Sequence, residues 1–280
     1  MKILIFGNGY IGNRAKETWV DAELSTVRIN KLEDVLMELD RVRPTAVLNA
    51  AGVVGKPNVD WCEDHQIETI FGNTVLPSII AEACALRGIY LLHIGTGCIF
   101  YGNNPTHREW AEDDFANPIA VYTRCKYAAD LVLSTMPNIG IARIRMPIDD
   151  RPDPKNLLDK ICKYKKVVDV PNSITTIPDM LEVFHELMER RAEGIFHTVN
   201  SGEIRHSRIL QLYKEYVDPN FILPEFITEE ELTRDLTKKR RSNNVMSSKR
   251  LAELGLEMPE IETALVPLLR KYKLNSENSY

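Results

Sequence analysis

Tyr122 is the only tyrosine in the chain followed by a lysine four residues on, Lys126. On a helix that spacing puts both side chains on one face. An ammonium beside a phenol favours the phenolate and moves its pKa toward the range useful for proton transfer. Thr96, at the end of an earlier apolar run, offers a hydroxyl that can donate to the same carbonyl oxygen. Two residues on, Cys98 places a thiol, which becomes a good base once a cationic neighbourhood lowers its pKa. A proton donor for a ketone and a base for a carbon acid are the chemistry these types offer. The bland alternatives are a chance surface pair, a strand-capping threonine and a small buried cysteine.

The run Gly7-Asn8-Gly9-Tyr10-Ile11-Gly12 follows an apolar stretch and precedes helical spacing. In that context Gly7 serves a tight turn, Gly9 the approach of a pyrophosphate, and Gly12 the packing of helix on strand. The helix N-terminus adds N–H donors. This is a nicotinamide-dinucleotide turn. The second strand ends Val27-Arg28-Ile29-Asn30-Lys31 rather than in an acidic residue, so Arg28 or Lys31 can pair with a 2′-phosphate. NADPH is favoured, with NADH as the alternative; both cations as solvated surface charges is the bland reading.

The elements that position these residues alternate. Strands are predicted at 2–7, 24–29, 45–50, 89–94 and 139–145, with helices at 10–20, 32–42, 63–87 and 121–136. Strands separated by single helices imply an α/β fold, a Rossmann-type doubly wound parallel sheet, with ligands beyond the carboxyl ends of its strands. The loop Asn49-Ala50-Ala51-Gly52 lies at such an end and joins the cofactor candidates, as does Met146 after the fifth strand. After Pro147 the pattern loosens: helices are predicted at 155–164, 179–191, 207–217 and 261–272, with strands at 167–170 and 194–199. The expected organisation is an NADP-binding core over 1–147 and a smaller C-terminal substrate lobe over 148–280. Segments near 167–170 and 194–199 are candidates to return to the core sheet.

Bulk properties narrow the classes. A chain of 280 residues with net charge −5 has room for a large core and no general nucleic-acid-binding character. No apolar stretch is expected to span a bilayer, and Met1 leads into residues 2–6 without a cleavage-site pattern, so neither membrane nor signal peptide is expected. Five scattered cysteines suit reduced thiols in a cytoplasmic protein. Cys62 and His65 have a metal-like spacing without a second ligand pair, so no metal is expected. His93, inside an apolar strand, reads as a satisfied core histidine.

The glycine turn, Asn49–Gly52, Thr96 and the Tyr122/Lys126 pair resemble the extended short-chain dehydrogenase/reductase superfamily. More specific blocks are Lys56-Pro57-Asn58-Val59-Asp60-Trp61-Cys62-Glu63, Thr96-Gly97-Cys98-Ile99-Phe100, Arg143-Ile144-Arg145-Met146-Pro147-Ile148, Lys166-Val167-Val168, Pro171-Asn172-Ser173 and Arg241-Ser242-Asn243-Asn244. They are similar to the nucleotide-rhamnose synthases of plants and large DNA viruses, bifunctional UDP-4-keto-6-deoxy-D-glucose 3,5-epimerase/4-reductases, over essentially the whole chain. The resemblance implies a reductase set of Thr96, Tyr122 and Lys126 and an epimerase pair of Cys98 and Lys160; read alone, Lys160 is a solvated helix charge. Candidate substrate contacts are Asn58, Trp61, Asn73, Asn156 and Arg241, the last as a bidentate donor to a pyrophosphate. A nucleotide-sugar substrate, dependence on a separate 4,6-dehydratase and a homodimer are the implied partners. Two other functions remain open: a 4-reductase alone, resembling dTDP-4-dehydrorhamnose reductases, and a non-catalytic NADP-binding regulatory subunit.

Overall fold

The computed structural model describes residues 1–56 and 58–277. Pro57 of the signature and the last three residues of the predicted lobe lie outside the described residues. Among the described residues the strands are, in chain order, β1 Ile3–Phe6, β2 Ala22–Leu24, β3 Ala46–Asn49, β4 Tyr90–Thr96, β5 Ile139–Ile144, β6 Pro147–Ile148, β7 Lys166–Val168, β8 Thr175–Thr176, β9 Gly194–His197 and β10 Glu225–Ile227. The α-helices are α1 Tyr10–Thr18, α2 Leu32–Val42, α3 Trp61–Asp64, α4 Gln66–Ile70, α5 Leu76–Arg87, α6 Val121–Leu133, α7 Leu157–Ile161, α8 Ile177–Glu189, α9 His206–Tyr216, α10 Glu229–Asp235, α11 Lys249–Glu253 and α12 Ile261–Glu277.

Two compact units divide the chain. The first takes residues 1–99, 116–143 and 181–196, and the second takes 100–115, 144–180 and 197–280. A single boundary at 147 therefore gives way to an interleaved one. Segment 194–196 belongs to the first unit, whereas 167–170 does not: β7 pairs in parallel with β10 in a separate two-stranded ladder.

The first unit is built on a sheet of order β2-β1-β3-β4-β5-β9, with parallel pairing of β1 to β2 and β3 and of β3 to β4. Strand β1 is buried along its whole length, as a parallel strand covered on both faces requires. Leu4, Phe6, Val35, Leu39, Ile80 and Leu91 form its core with the flanking helices. The order reverses between β1 and β3, the switch point where such sheets bind ligands.

Two expectations fail here for local reasons. Strand β2 stops at Leu24, not near Arg28, because the Ser25 hydroxyl accepts from Val27 N–H (3.2 Å) and turns the chain. The single helix predicted over 63–87 is broken at His65 and again by a π-helical turn, Phe71–Val75. The run Gln66–Arg87 is nonetheless long and apolar enough to cross a membrane, contrary to expectation; 44% of its most apolar window is buried inside the protein. Ile80, Ala81 and Cys84 from it lie in the core, which marks it as a core helix.

The second unit has its own cluster around Ile148, Leu158, Ile174, Leu210, Leu265 and Leu269. Strands β6 and β8 form a second short parallel ladder. Around it runs a network of buried amides and hydroxyls. Ser242 Oγ (2.6 Å) and Asn244 Nδ2 (2.8 Å) donate to Phe100 O, and Asn172 Nδ2 donates to Asn243 Oδ1 (3.1 Å). Two of the signature blocks, around Asn172 and around Asn243, thus hold one another.

Candidate active site

The glycine turn sits where β1 gives way to α1. Gly7 has φ +112°, a conformation L side chains rarely adopt, and a Cβ there would stand 2.4 Å from the Ala50–Ala51 backbone. A Cβ on Gly12 would stand 2.0 Å from Gly7 O, so helix and turn interlock. A Cβ on Gly9 would meet nothing within 4 Å, so its missing side chain leaves room for an approaching group rather than for packing. Beside the turn runs a groove of 260 Å³ lined by Gly7, Asn8, Thr26, Arg28, Ala51 and Leu76 among others. Among the described residues that line it none is acidic. Arg28 borders this groove, whereas Lys31 faces Glu33 at 3.9 Å. The donor set fits a dinucleotide whose adenosine ribose carries a phosphate. Asn8 and Thr26, neither singled out from sequence, share the groove; their position beside a glycine turn is the signal that could have found them.

Thr96 ends β4, and Cys98 lies on the 3₁₀ turn Gly97–Ile99 that follows. Thr96 Oγ1 accepts from Cys98 N–H at 3.1 Å, which pins the thiol-bearing residue to the hydroxyl. The Tyr122 phenol stands near both the Thr96 hydroxyl and the Cys98 thiol. Thr96, Cys98 and Tyr122 are therefore brought together in the first unit. Cys98 is half-buried.

The electrostatics differ from the sequence expectation. Burial pushes the Tyr122 phenol up, the Cys98 thiol opposes its ionisation further, and the Thr96 hydroxyl only partly offsets this. Lys126 does not counter it, because its amine is engaged elsewhere: Nζ donates to Ile94 O (2.6 Å) and contacts His93 Nε2 (3.2 Å). Burial pulls the Lys126 amine down to about 8. His93, read as an ordinary core histidine, is in fact the neighbour of this lysine; its place on β4 three residues before Thr96 was the available signal. Beneath them Arg143 Nε donates to Asp130 Oδ2 (2.8 Å), both side chains being almost wholly buried. Gly95 leaves the room this pair needs, since a Cβ there would press on Arg143 and Asp130 at 3.1 and 3.3 Å.

Other candidates have structural roles. Asn73, on the π-helical turn, is buried and its amide is fully engaged: Nδ2 donates to Val53 O (2.8 Å) and Thr69 O (3.0 Å), and Oδ1 accepts from Val53 N–H (3.2 Å). It holds the loop after Gly52. Asn156 likewise caps α7, accepting from Leu158 N–H (3.1 Å) and donating to Asp149 O and Arg151 O. Asn49 uses its side chain on Ala51 N–H (3.0 Å) and His93. Asn58 accepts from Asp60 N–H (2.9 Å) on an exposed turn, and Trp61 stacks on His65 with centroids 3.7 Å apart. The signature residue that matters most to the site is Glu63: Oε1 accepts from Val121 N–H (2.8 Å) at the start of the helix that carries Tyr122 and Lys126.

Lys160, Met146 and Arg241 belong to the second unit. Lys160 is half-buried on α7, and burial lowers its amine, with Asp153 opposing. That is not the environment of a solvated helix charge. Met146 has φ 41°, a left-handed backbone held just past β5. Arg240 is tied to Glu229 by two bonds of 3.0 and 2.9 Å.

The family described as RmlD substrate binding domain matches residues 1–274. A bifunctional dTDP-4-dehydrorhamnose 3,5-epimerase/dTDP-4-dehydrorhamnose reductase of Arabidopsis thaliana is 32% identical over 276 residues, 94% of this chain and 90% of that protein. A trifunctional UDP-glucose 4,6-dehydratase/UDP-4-keto-6-deoxy-D-glucose 3,5-epimerase/UDP-4-keto-L-rhamnose-reductase of the same plant is 33% identical over 95% of this chain, but the match spans only 41% of its length. The crystal structure of the UDP-rhamnose synthase of Acanthamoeba polyphaga mimivirus superimposes with a TM-score of 0.90 at 28% identity, over 97% of this chain and 99% of that one. The blocks that looked like a rhamnose-synthase signature and the sheet that carries them thus have one explanation: this chain belongs to the RmlD substrate-binding-domain family.

Proposed function

We propose that the chain is a bifunctional enzyme that converts UDP-4-keto-6-deoxy-D-glucose to UDP-L-rhamnose, inverting C3 and C5 and then reducing C4 with NADPH. The observation that carries this reading is the placing of the Cys98 thiol beside Tyr122, on the turn that Thr96 holds. A reductase alone has no use for a thiol there. Bifunctional and UDP-rhamnose-forming relatives supply the substrate class.

NADPH, when bound in the groove beside the glycine turn, supplies hydride to the sugar C4. Arg28 would hold its 2′-phosphate, Gly9 leaves space for its pyrophosphate, Ala50, Ala51 and Met146 would border it, and Lys126 would hold its nicotinamide ribose. The protons on C3 and C5 are acidic because each carbon adjoins the ketone. Cys98 takes a proton from one face of the ring and Lys160, with its lowered amine, returns one to the other. Thr96 and Tyr122 hold the ketone oxygen, and Tyr122, whose phenol burial keeps protonated, gives its proton to the hydroxyl that forms. Trp61 and Asn58 border the sugar, and Arg241 takes the UDP pyrophosphate.

The 4-keto substrate is the product of a 4,6-dehydratase, an activity that the trifunctional relative combines with the other two. Dependence on a separate dehydratase is part of the proposal. So are a homodimer and a cytoplasmic location, the latter supported by five free cysteines. The test is incubation of the purified chain with UDP-4-keto-6-deoxy-glucose and NADPH, with the product's stereochemistry read by NMR. L-rhamnose is expected. A D-configured product removes the epimerase, and an unreacted ketone leaves only a cofactor-binding protein.

A further inference from the structure

Four groups of the first unit form an unbroken chain from the cofactor loop to the catalytic lysine. Ala51 N–H donates to Asn49 Oδ1 at 3.0 Å, which fixes the amide: its Nδ2 is the atom 3.0 Å from His93 Nδ1. Reversing the amide would set its NH₂ against the Ala51 N–H. A ring nitrogen facing an NH₂ donor must carry the lone pair, so the proton of neutral His93 is on Nε2. That Nε2–H points at Lys126 Nζ, 3.2 Å away. An ammonium has no lone pair to accept it, whereas a neutral amine accepts it and still donates to Ile94 O at 2.6 Å.

The charges around the amine agree. Asp130 and Tyr122 share its helix, His93 lies on β4, Arg143 on β5 and Cys98 on the 3₁₀ turn. Asp130, the carboxylate among them, is bound by Arg143. A protonated Lys126 would leave this wholly buried group with an uncompensated positive charge, which burial penalises. His93 and Lys126 are both held down by burial; Lys126 further disfavours a charge on His93, while Asp130 partly offsets the effect of burial on Lys126.

We propose that His93 is a positioning residue that favours the neutral amine of Lys126 in the cofactor-free protein, and that in alkaline solution filling the cofactor cleft is coupled to uptake of a proton by this lysine. The inference rests on the nicotinamide-reductase reading above, in which the ammonium holds the ribose hydroxyls.

The test is calorimetric titration with NADPH in buffers of different ionisation enthalpy, together with ¹⁵N NMR of His93 in the free protein. With a free-protein value of about 8 for Lys126, binding at pH 9 takes up about 0.9 proton, and affinity falls toward about tenfold per pH unit above 8. In His93→Asn the new carbonyl oxygen accepts from an ammonium, so uptake at pH 9 drops below about 0.2 proton and the affinity slope flattens. The NMR reading needs no variant: Nε2–H is expected in the free wild type at pH 9, where the Lys126 amine is neutral. Tight NADPH binding without proton uptake, or an Nδ1–H tautomer, overturns the inference and leaves the reductase reading standing. No NADPH binding at all overturns both.

Discussion

Arg143 and Arg145 are two residues apart on one strand and its extension, both almost fully buried, and they work in different ways. Arg143, in the first unit, faces a carboxylate, Asp130, in the group that also holds Lys126 and Tyr122. Arg145, in the second unit, donates to the Asn172 side chain (2.7 Å) and to Ser242 O, within the network of amides and hydroxyls. One arginine balances charge beneath ionisable groups whose pKa values burial has moved; the other organises neutral groups. Perturbed ionisable side chains are where chemistry is carried, and a buried amide network is where shape is kept.

The comparison breaks first at Tyr122. Tyr122→Phe removes the proton donor and is expected to lower NADPH oxidation by about 10³-fold, while deuterium uptake at C3 and C5 persists. Equal loss of both, followed by mass spectrometry in D₂O, would tie the phenol to enolisation as well. Cys98→Ser is expected to do the reverse. It keeps the size but not the basicity, so exchange falls by at least about 100-fold with NADPH binding unchanged. Exchange at the wild-type rate makes Cys98 structural.

The arginines themselves come next. Arg143→Met strands a buried carboxylate and should cost about 3–5 kcal/mol in urea unfolding, most of it recovered by adding Asp130→Leu. Burial already pushes the Asp130 carboxyl up, and losing Arg143 pushes it further. The folded variant therefore binds more protons than the unfolded chain, and its stability should fall as pH rises from mildly acid toward neutral. Arg145→Met leaves neutral acceptors unpaired, costs about 1–3 kcal/mol, and should lack that pH slope. The smallest effect is Glu63→Gln, which removes the negative charge from the start of the Tyr122 helix: about 0.3–1 kcal/mol by thermal unfolding, with reduction slowed only a few-fold. A larger kinetic effect would move Glu63 from support into the chemistry.

How much of this was legible depends on the range of the interaction. Helix α2 was readable to the residue at 32–42, since its apolar spacing is a local signal. The glycine turn and the helix that carries Tyr122 and Lys126 were legible because both rest on local signals. The end of β2 was not, since it depends on where one serine hydroxyl turns. Nor was the π-helical turn, where Asn73 reaches across to Val53. The backbone bonds of Asn73 and Asn156 were not readable, because an amide that binds a sugar and one that caps a backbone look alike in a sequence. His93 is the satisfied core histidine its apolar strand implied, and only the structure says that its partners are Asn49 and Lys126. The interleaved units also escaped, because residues 100–115 belong with segments far along the chain.

The interlock of Gly7 with Ala50 and Ala51 carries a kinetic consequence. The turn that begins the chain is completed by backbone about 40 residues later, so its final shape cannot precede the docking of β3. At translation speeds of about 5–20 residues per second, the nascent glycine turn waits about 2–9 s for its partner to be made. Cofactor binding is thus a late reporter of folding, and NADPH present during synthesis or refolding should stabilise the finished unit without accelerating the steps that build it.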